Sequence, residues 1–177
     1  MKIAVYCASG EGKKETYRDV AAELGKWIGE NGHTLVFGGG NIGLMGIVAS
    51  EAFQHGANVI GVLPADVDFI NNRPQPYCTE VIREKNMAAR KDRMLHLADA
   101  FIALPGGIGT LDEVTEAIVL TRIHVFDKPM VLFNTEGFYE PFRQMLDTMI
   151  EAGFLTKDEK TLFSDDLNEI SAFIQKT

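Results

Sequence analysis

Two kinds of segment alternate along this chain. Short runs are apolar throughout, and longer stretches repeat apolar residues every three or four positions. The first kind reads as buried strand: Ile3 to Cys7, Thr34 to Phe37, Asn58 to Leu63, Ala100 to Leu104 and Met130 to Phe133. The second reads as helix: Glu15 to Glu30, Gly43 to His55, Asn86 to Ala98, Thr110 to His124, Phe138 to Glu151 and Leu167 to Gln175. In the first helix Val20, Leu24, Trp27 and Ile28 share a face, and Asn31-Gly32 stops it. Gly56 ends the second, and Asn86 is placed to cap the third. Glu80 to Arg83 reads as a short additional strand. Asp66 to Cys78, with Pro74 and Pro76, reads as a long loop.

Strands without a polar face must be covered on both sides. The alternation therefore predicts an α/β fold: a three-layer, Rossmann-like, doubly wound parallel sheet flanked by helices, in one domain over residues 1–177. Right-handed crossovers favour the strand order 3-2-1-4-5. In that order the glycine-bearing turns after strands 1, 2 and 4 meet in one crevice at the carboxyl edge of the sheet.

Composition narrows the function classes. The chain is 46% hydrophobic and 24% charged, ordinary for a globular protein. A formal net charge of −8 argues against bulk electrostatic binding of nucleic acid. No apolar run approaches a membrane span, and no signal peptide is evident, so a cytoplasmic location is expected. Cys7 and Cys78 lack metal or redox spacing and read as free thiols. His33, His55, His96 and His124 form no ligand pattern, so neither a metal nor another cofactor is expected. Ser9 has no His–Asp partners for acyl transfer, and no glycine turn carries a P-loop lysine.

The chemistry concentrates in the turns. Pro105-Gly106-Gly107-Ile108-Gly109-Thr110-Leu111-Asp112-Glu113 joins a strand to a helix. Free backbone amides and the helix dipole make such a turn an anion site, and glycine admits a phosphate close to the main chain. Phosphate needs no carboxylates, so Asp112, Glu113 and Glu116 point to chemistry on a sugar beside it. The segment Gly38-Gly39-Gly40-Asn41-Ile42-Gly43-Leu44-Met45-Gly46 contains the G-x-G-x-x-G spacing, but after the second strand and without an acidic residue ending the third. A nucleotide contact other than a dinucleotide site fits it better. The first turn, Cys7 to Gly12, offers Ser9 as a donor.

Ordinary structural alternatives stand beside these. Thr110-x-x-Glu113 is also a capping box, as are Thr156-x-x-Glu159 and Asp166-x-x-Glu169. A Glu113 that caps its own helix cannot reach a ligand. Met87, Arg90, Met94 and Leu97 form one helical stripe, with Lys91 beside it. Arg90 either snorkels at a core edge or turns its fork onto an anion in a pocket. Arg83, Lys85 and Arg93 read as solvated charge.

The Gly38–Gly46 segment, Arg90-Lys91-x-x-Met94 and the Pro105–Glu113 segment resemble the three signatures of the LOG (LONELY GUY) family, cytokinin riboside 5′-monophosphate phosphoribohydrolases long mislabelled as lysine decarboxylases. The resemblance implies a Rossmann-like fold, a homodimer, and hydrolysis of a nucleoside 5′-monophosphate to free base and ribose 5-phosphate. It implies Arg90 and Glu113 as the catalytic pair. Ser9, Gly39, Gly40, Met87, Lys91, Gly106, Gly107, Ile108, Gly109, Thr110 and Glu116 are the expected substrate-binding positions, with a purine nucleoside monophosphate as the partner. Departures fall at Ala8-Ser9-Gly10, where a Gly-Ser-Ser turn is usual, at Ala88 in place of His, and at Arg122 and Phe126 in place of Gln and His. These are expected at the pocket wall and base end. A nucleotide-binding or carrier module without catalysis is the alternative from another class. Lysine decarboxylation is disfavoured, since no lysine sits by a glycine turn to anchor pyridoxal phosphate.

Overall fold

Seven strands pair in parallel, in the order β4-β3-β2-β1-β5-β6-β7. The computed structural model describes residues 1–67 and 76–176. The strands are β1 (Lys2–Tyr6), β2 (Thr34–Phe37), β3 (Asn58–Pro64), β4 (Glu80–Glu84), β5 (Ala100–Ala103), β6 (Met130–Phe133) and β7 (Thr161–Ser164). The helices are α1 (Glu15–Glu30), α2 (Gly43–Gln54), α3 (Met87–Leu97), α4 (Ile108–Arg122), α5 (Glu140–Glu151) and α6 (Leu167–Gln175). The expected order survives as β3-β2-β1-β5-β6, and β4 and β7 extend it at the two edges. Of the long loop expected from Asp66 to Cys78, residues 68–75 lie outside the described residues.

The sheet is buried on both faces because its central strands are apolar at every position after the first residue of β1 and β2, Lys2 and Thr34. On one side Ile3, Val5, Leu35, Phe37 and Val59 pack against Leu24, Ile28, Val48 and Ile174, from α1, α2 and α6. On the other, Ala4, Tyr6, Val36 and Val62 pack against Met94, Leu95, Val114 and Ala117, from α3 and α4. Adjacent residues of one strand thus serve opposite layers, as the period of two requires.

Three boundaries depart from expectation. The α4 helix begins at Ile108, two residues before Thr110, because Gly107 takes the extended N-cap conformation (φ −95°, ψ −159°). Thr110 is therefore inside the first turn and caps nothing. Thr156-x-x-Glu159 caps no helix either. Asp158 instead accepts from the Lys160 amide and the Thr161 hydroxyl, a turn that launches β7. The helix expected from Phe138 starts at Glu140, after a 3₁₀ turn at Thr135–Gly137. Asn86 and Asp166 do cap α3 and α6, accepting from the Ala89 and Asn168 amides at 2.9 and 2.8 Å.

Candidate active site

The turns after β1, β2 and β5 converge on a cavity of about 500 Å³ at the carboxyl edge of the sheet. Here the chain order reverses: β2 lies on one side of β1 and β5 on the other. Such a switch point opens a crevice, because the helices that follow depart to opposite faces. Ser9 and Gly10 line it from the first turn, Gly38 to Ile42 from the second, and Gly107, Gly109 and Thr110 from the third. Met87, Arg90 and Lys91 reach it from the start of α3, and Asp112 and Glu113 from α4.

The N-termini of α2 and α4 both face this crevice, and they differ in what their amides do. At α2 the Leu44 amide donates to the Gly10 carbonyl at 3.2 Å and the Met45 amide to the Ala8 carbonyl at 3.4 Å. That contact requires glycine at 43. Its φ is +61°, and a Cβ there would lie 2.3 Å from the Ser9 carbonyl oxygen. The first turn therefore ties off the start of α2. At α4 the Ile108, Gly109 and Thr110 amides find no acceptor among the described residues. Unpaired first-turn amides, aided by the helix dipole, are an anion site. Gly107–Thr110 is thus the candidate anion position.

Glu113 does not turn back on its helix. Arg90 Nη1 donates to Glu113 Oε1 at 2.5 Å, and Arg90 Nε donates to the Val62 carbonyl at 3.2 Å. Arg90 and Glu113 side chains are 10% and 11% exposed. The guanidinium is thus in the pocket and does not snorkel. Burial pushes the Glu113 carboxyl above its ordinary range, and Arg90 pulls against this without cancelling it. Alongside, Lys91 Nζ meets Asp112 at 2.8 Å and Glu116 at 3.0 Å. Burial lowers the Lys91 pKa, yet the two carboxylates outweigh it and hold the ammonium charged. Two ion-pair lines therefore bind α3 to α4, Arg90 to Glu113 facing inward and Lys91 to Asp112 and Glu116 beside it.

Most expected site residues meet here: Ser9, Gly39, Gly40, Met87, Arg90, Lys91, Gly107, Gly109, Thr110 and Glu113 all line the cavity. Gly106, Ile108 and Glu116 do not. Gly106 faces the Thr110 side chain, the Ile108 side chain is 82% exposed while its amide heads α4, and Glu116 holds Lys91 from behind. The departures at Ala88, Arg122 and Phe126 also fall outside the lining, against expectation. Arg122 is nine residues beyond Glu113, roughly 13 Å along the helix, and donates to Thr156. Phe126 packs on Phe101. Ala8, from the first-turn departure, lines the wall as expected, and Cys7, Ile42 and Met45, not among the expected substrate-binding positions, complete it. Tyr139 was also missed. Its buried hydroxyl donates to the Leu104 carbonyl at 2.7 Å, under the third turn. Nothing local in the sequence pairs those two, which are 35 residues apart.

A family model described as "Possible lysine decarboxylase" matches residues 45–172. The chain is 43% identical over 161 residues to the cytokinin riboside 5′-monophosphate phosphoribohydrolase LOG of Oryza sativa subsp. japonica, covering 91% of this chain and 66% of the rice protein. It is 40% identical over 159 residues to LOG1, of the same name, from Arabidopsis thaliana, covering 88% and 72%. The chain spans slightly under two thirds of the length of the rice relatives it matches. Among solved structures it is similar to the molybdenum cofactor carrier protein of Chlamydomonas reinhardtii, with a TM-score of 0.72 and 26% identity over 99% of this chain and 96% of the other.

Proposed function

The chain belongs to the LOG family, and on that premise we propose that it hydrolyses the N-glycosidic bond of a purine nucleoside 5′-monophosphate, AMP or an N6-modified relative, to free base and ribose 5-phosphate. One observation carries the proposal: a buried carboxylate, held off its own helix by Arg90, faces a cavity that also holds the unpaired amides of α4. The phosphate sits on the Ile108, Gly109 and Thr110 amides. The ribose then lies over Glu113, one helical turn further along, and the base extends toward Ile42, Met45 and Met87. As the bond to the base breaks, the ribose ring gains oxocarbenium character. Glu113 stabilises that charge, orients a ribose hydroxyl, or takes a proton from the attacking water. Arg90 is the hand that holds the carboxylate, since Val62 and Glu113 occupy its Nε and Nη1. Incubation with a panel of nucleoside monophosphates, with chromatographic detection of free bases, tests the reading. Release of no base from any of them overturns it.

The pH profile of kcat supplies a second check. Turnover needs the ionised carboxylate, and burial raises its pKa above the ordinary 4.5. Activity is therefore expected to fall as pH drops through a value above that of a free glutamate. Arg90→Met, which removes the opposing cation, is expected to move this limb higher still; a limb at the free-glutamate value in both proteins would count against Glu113. The linked stability has a definite sign. The raised folded pKa means that Glu113's contribution is fully present below the unfolded pKa and is lost as pH rises through the folded one.

The decarboxylase label fits these residues poorly. Lys91 is the lysine on the cavity wall among the described residues, and its ammonium is held charged by two carboxylates. A Schiff base to pyridoxal phosphate needs a free amine. Carriage without turnover is the second reading, favoured by the similarity to the algal carrier. A ligand-induced melting shift on AMP with no adenine released would select it.

We also propose a homodimer, in a cytoplasmic setting that suits the free thiols Cys7 and Cys78. No helix among the described residues is long and apolar enough to cross a membrane. Val119, Ile123 and Val125 are 52%, 61% and 56% exposed on and just beyond α4, an apolar face suited to a second copy. The double variant Val119→Glu/Ile123→Glu is expected to sediment as a monomer where the unaltered chain sediments as a dimer; sedimentation velocity decides.

A further inference from the structure

The three glycines that follow β2 look equivalent in sequence, but different constraints act on them. Gly39 has a φ of +72°, which L side chains rarely adopt. A Cβ at Gly40 would meet Met45 Cε at 2.8 Å, the movable end of a flexible side chain. Gly38 is a third case. Its φ is not in the left-handed region, so the backbone itself would accept alanine. A Cβ there would lie 1.9 Å from Arg90 Nη2 and 3.2 Å from Cζ.

We propose that Gly38 is a positioning residue for the reaction: its bare Cα is the seat on which the Arg90 guanidinium rests, and any side chain there unseats Arg90 and, through it, Glu113. The other constraints leave no slack. Nε is fixed to the Val62 carbonyl on β3, and Nη1 to Glu113 on α4. Arg90 is 8% exposed and sits on the first turn of α3. The guanidinium is planar and rigid, so pushing Nη2 away from β2 tilts the whole fork and breaks at least one of the two bonds. Met45 Sδ lies 3.3 Å from the same imagined Cβ, so a methyl group there would press on a second side chain as well. The pocket's geometry is therefore set partly by a missing methyl group. An error of about 1 Å in such a site costs on the order of 10²-fold in rate.

The inference rests on the proposed hydrolysis and is tested together with it. Gly38→Ala is expected to fold, with a melting temperature close to that of the unaltered chain. It should lose about 10²-fold in kcat on AMP, change KM by less than about threefold, and shift the acid limb of kcat upward. In an Arg90→Ala background the same substitution should cost nothing more, since the group it displaces is gone. Full activity in Gly38→Ala, or an equal loss in both backgrounds, overturns the inference. If the unaltered chain cleaves no nucleotide, the functional reading fails, but the seat is still decided by the Arg90 Nε–H resonance in NMR. Slow exchange in the unaltered chain and fast exchange in Gly38→Ala would uphold it. Identical exchange in both would overturn it.

Discussion

Glu113→Gln is expected to bind AMP almost as tightly as the unaltered chain and to release adenine about 10²–10⁴-fold more slowly, the usual worth of a positioned acid–base group. The substitution keeps the side chain's size and its acceptor oxygen, so Arg90 can still donate to position 113 and stay on Val62. What is lost is the negative charge beside a ribose that becomes cationic as its bond to the base breaks. In the proposed placement that charge matters little to the ground state, because the phosphate would be held on α4's amides and not by Glu113. The loss should therefore appear in kcat, with KM nearly unchanged. Isothermal titration with AMP and chromatographic turnover assays measure the two halves separately. Normal turnover in this variant would remove Glu113 from the mechanism. Lost binding with normal turnover at saturation would instead make it a ground-state ligand.

How far this site could be read from the chain depends on the range of the interaction. The convergence of three turns follows from strand order, and strand order follows from all-apolar strands and crossover handedness, so the crevice was legible. The two ambiguities at its centre were not. The stripe of Met87, Arg90, Met94 and Leu97 puts the Arg90 stem on an apolar face, but periodicity says nothing about where a long side chain ends. Its end is fixed by Val62 and Glu113, 28 and 23 residues away. Whether Glu113 capped its helix depended on where α4 starts. Two glycines and an isoleucine before Thr110 left room for that start to move, and it moved to Ile108. A shift of two residues took Glu113 out of a capping box and left its carboxyl to Arg90 and the cavity. The β7 strand was missed for a similar reason. Four residues with one buried position carry no period of their own, and pairing with β6 supplies their conformation. Of the positions where the chain departs from the family, Ala8, Ser9 and Gly10 line the cavity as expected, whereas Ala88, Arg122 and Phe126 do not.

The proposed anion position permits a sharper test than removal of a side chain, because backbone amides would form it. Ile108 is the first residue of α4, its side chain is 82% exposed, and Gly107 before it is extended. Proline is at home at such a position, and an extended residue is what it needs before it. Ile108→Pro therefore deletes one amide donor and little else, and the melting temperature should hold. A hydrogen bond to a charged group is worth about 1.5–3 kcal/mol, so KM for AMP should rise by about 10- to 100-fold. Adenosine, which lacks the phosphate, forfeits all of these bonds at once. Its kcat/KM should fall below that of AMP by at least about 10³-fold in the unaltered chain, since binding energy from the esterified end is what positions the ribose. In Ile108→Pro the adenosine value should not move, because there is no phosphate for the missing amide to touch. The preference for AMP over adenosine should thus shrink by the same factor by which KM rose. An unchanged KM for AMP in a folded Ile108→Pro protein would place the phosphate elsewhere in the crevice. A parallel fall for adenosine would mean that the substitution had disturbed Glu113 and not the anion site.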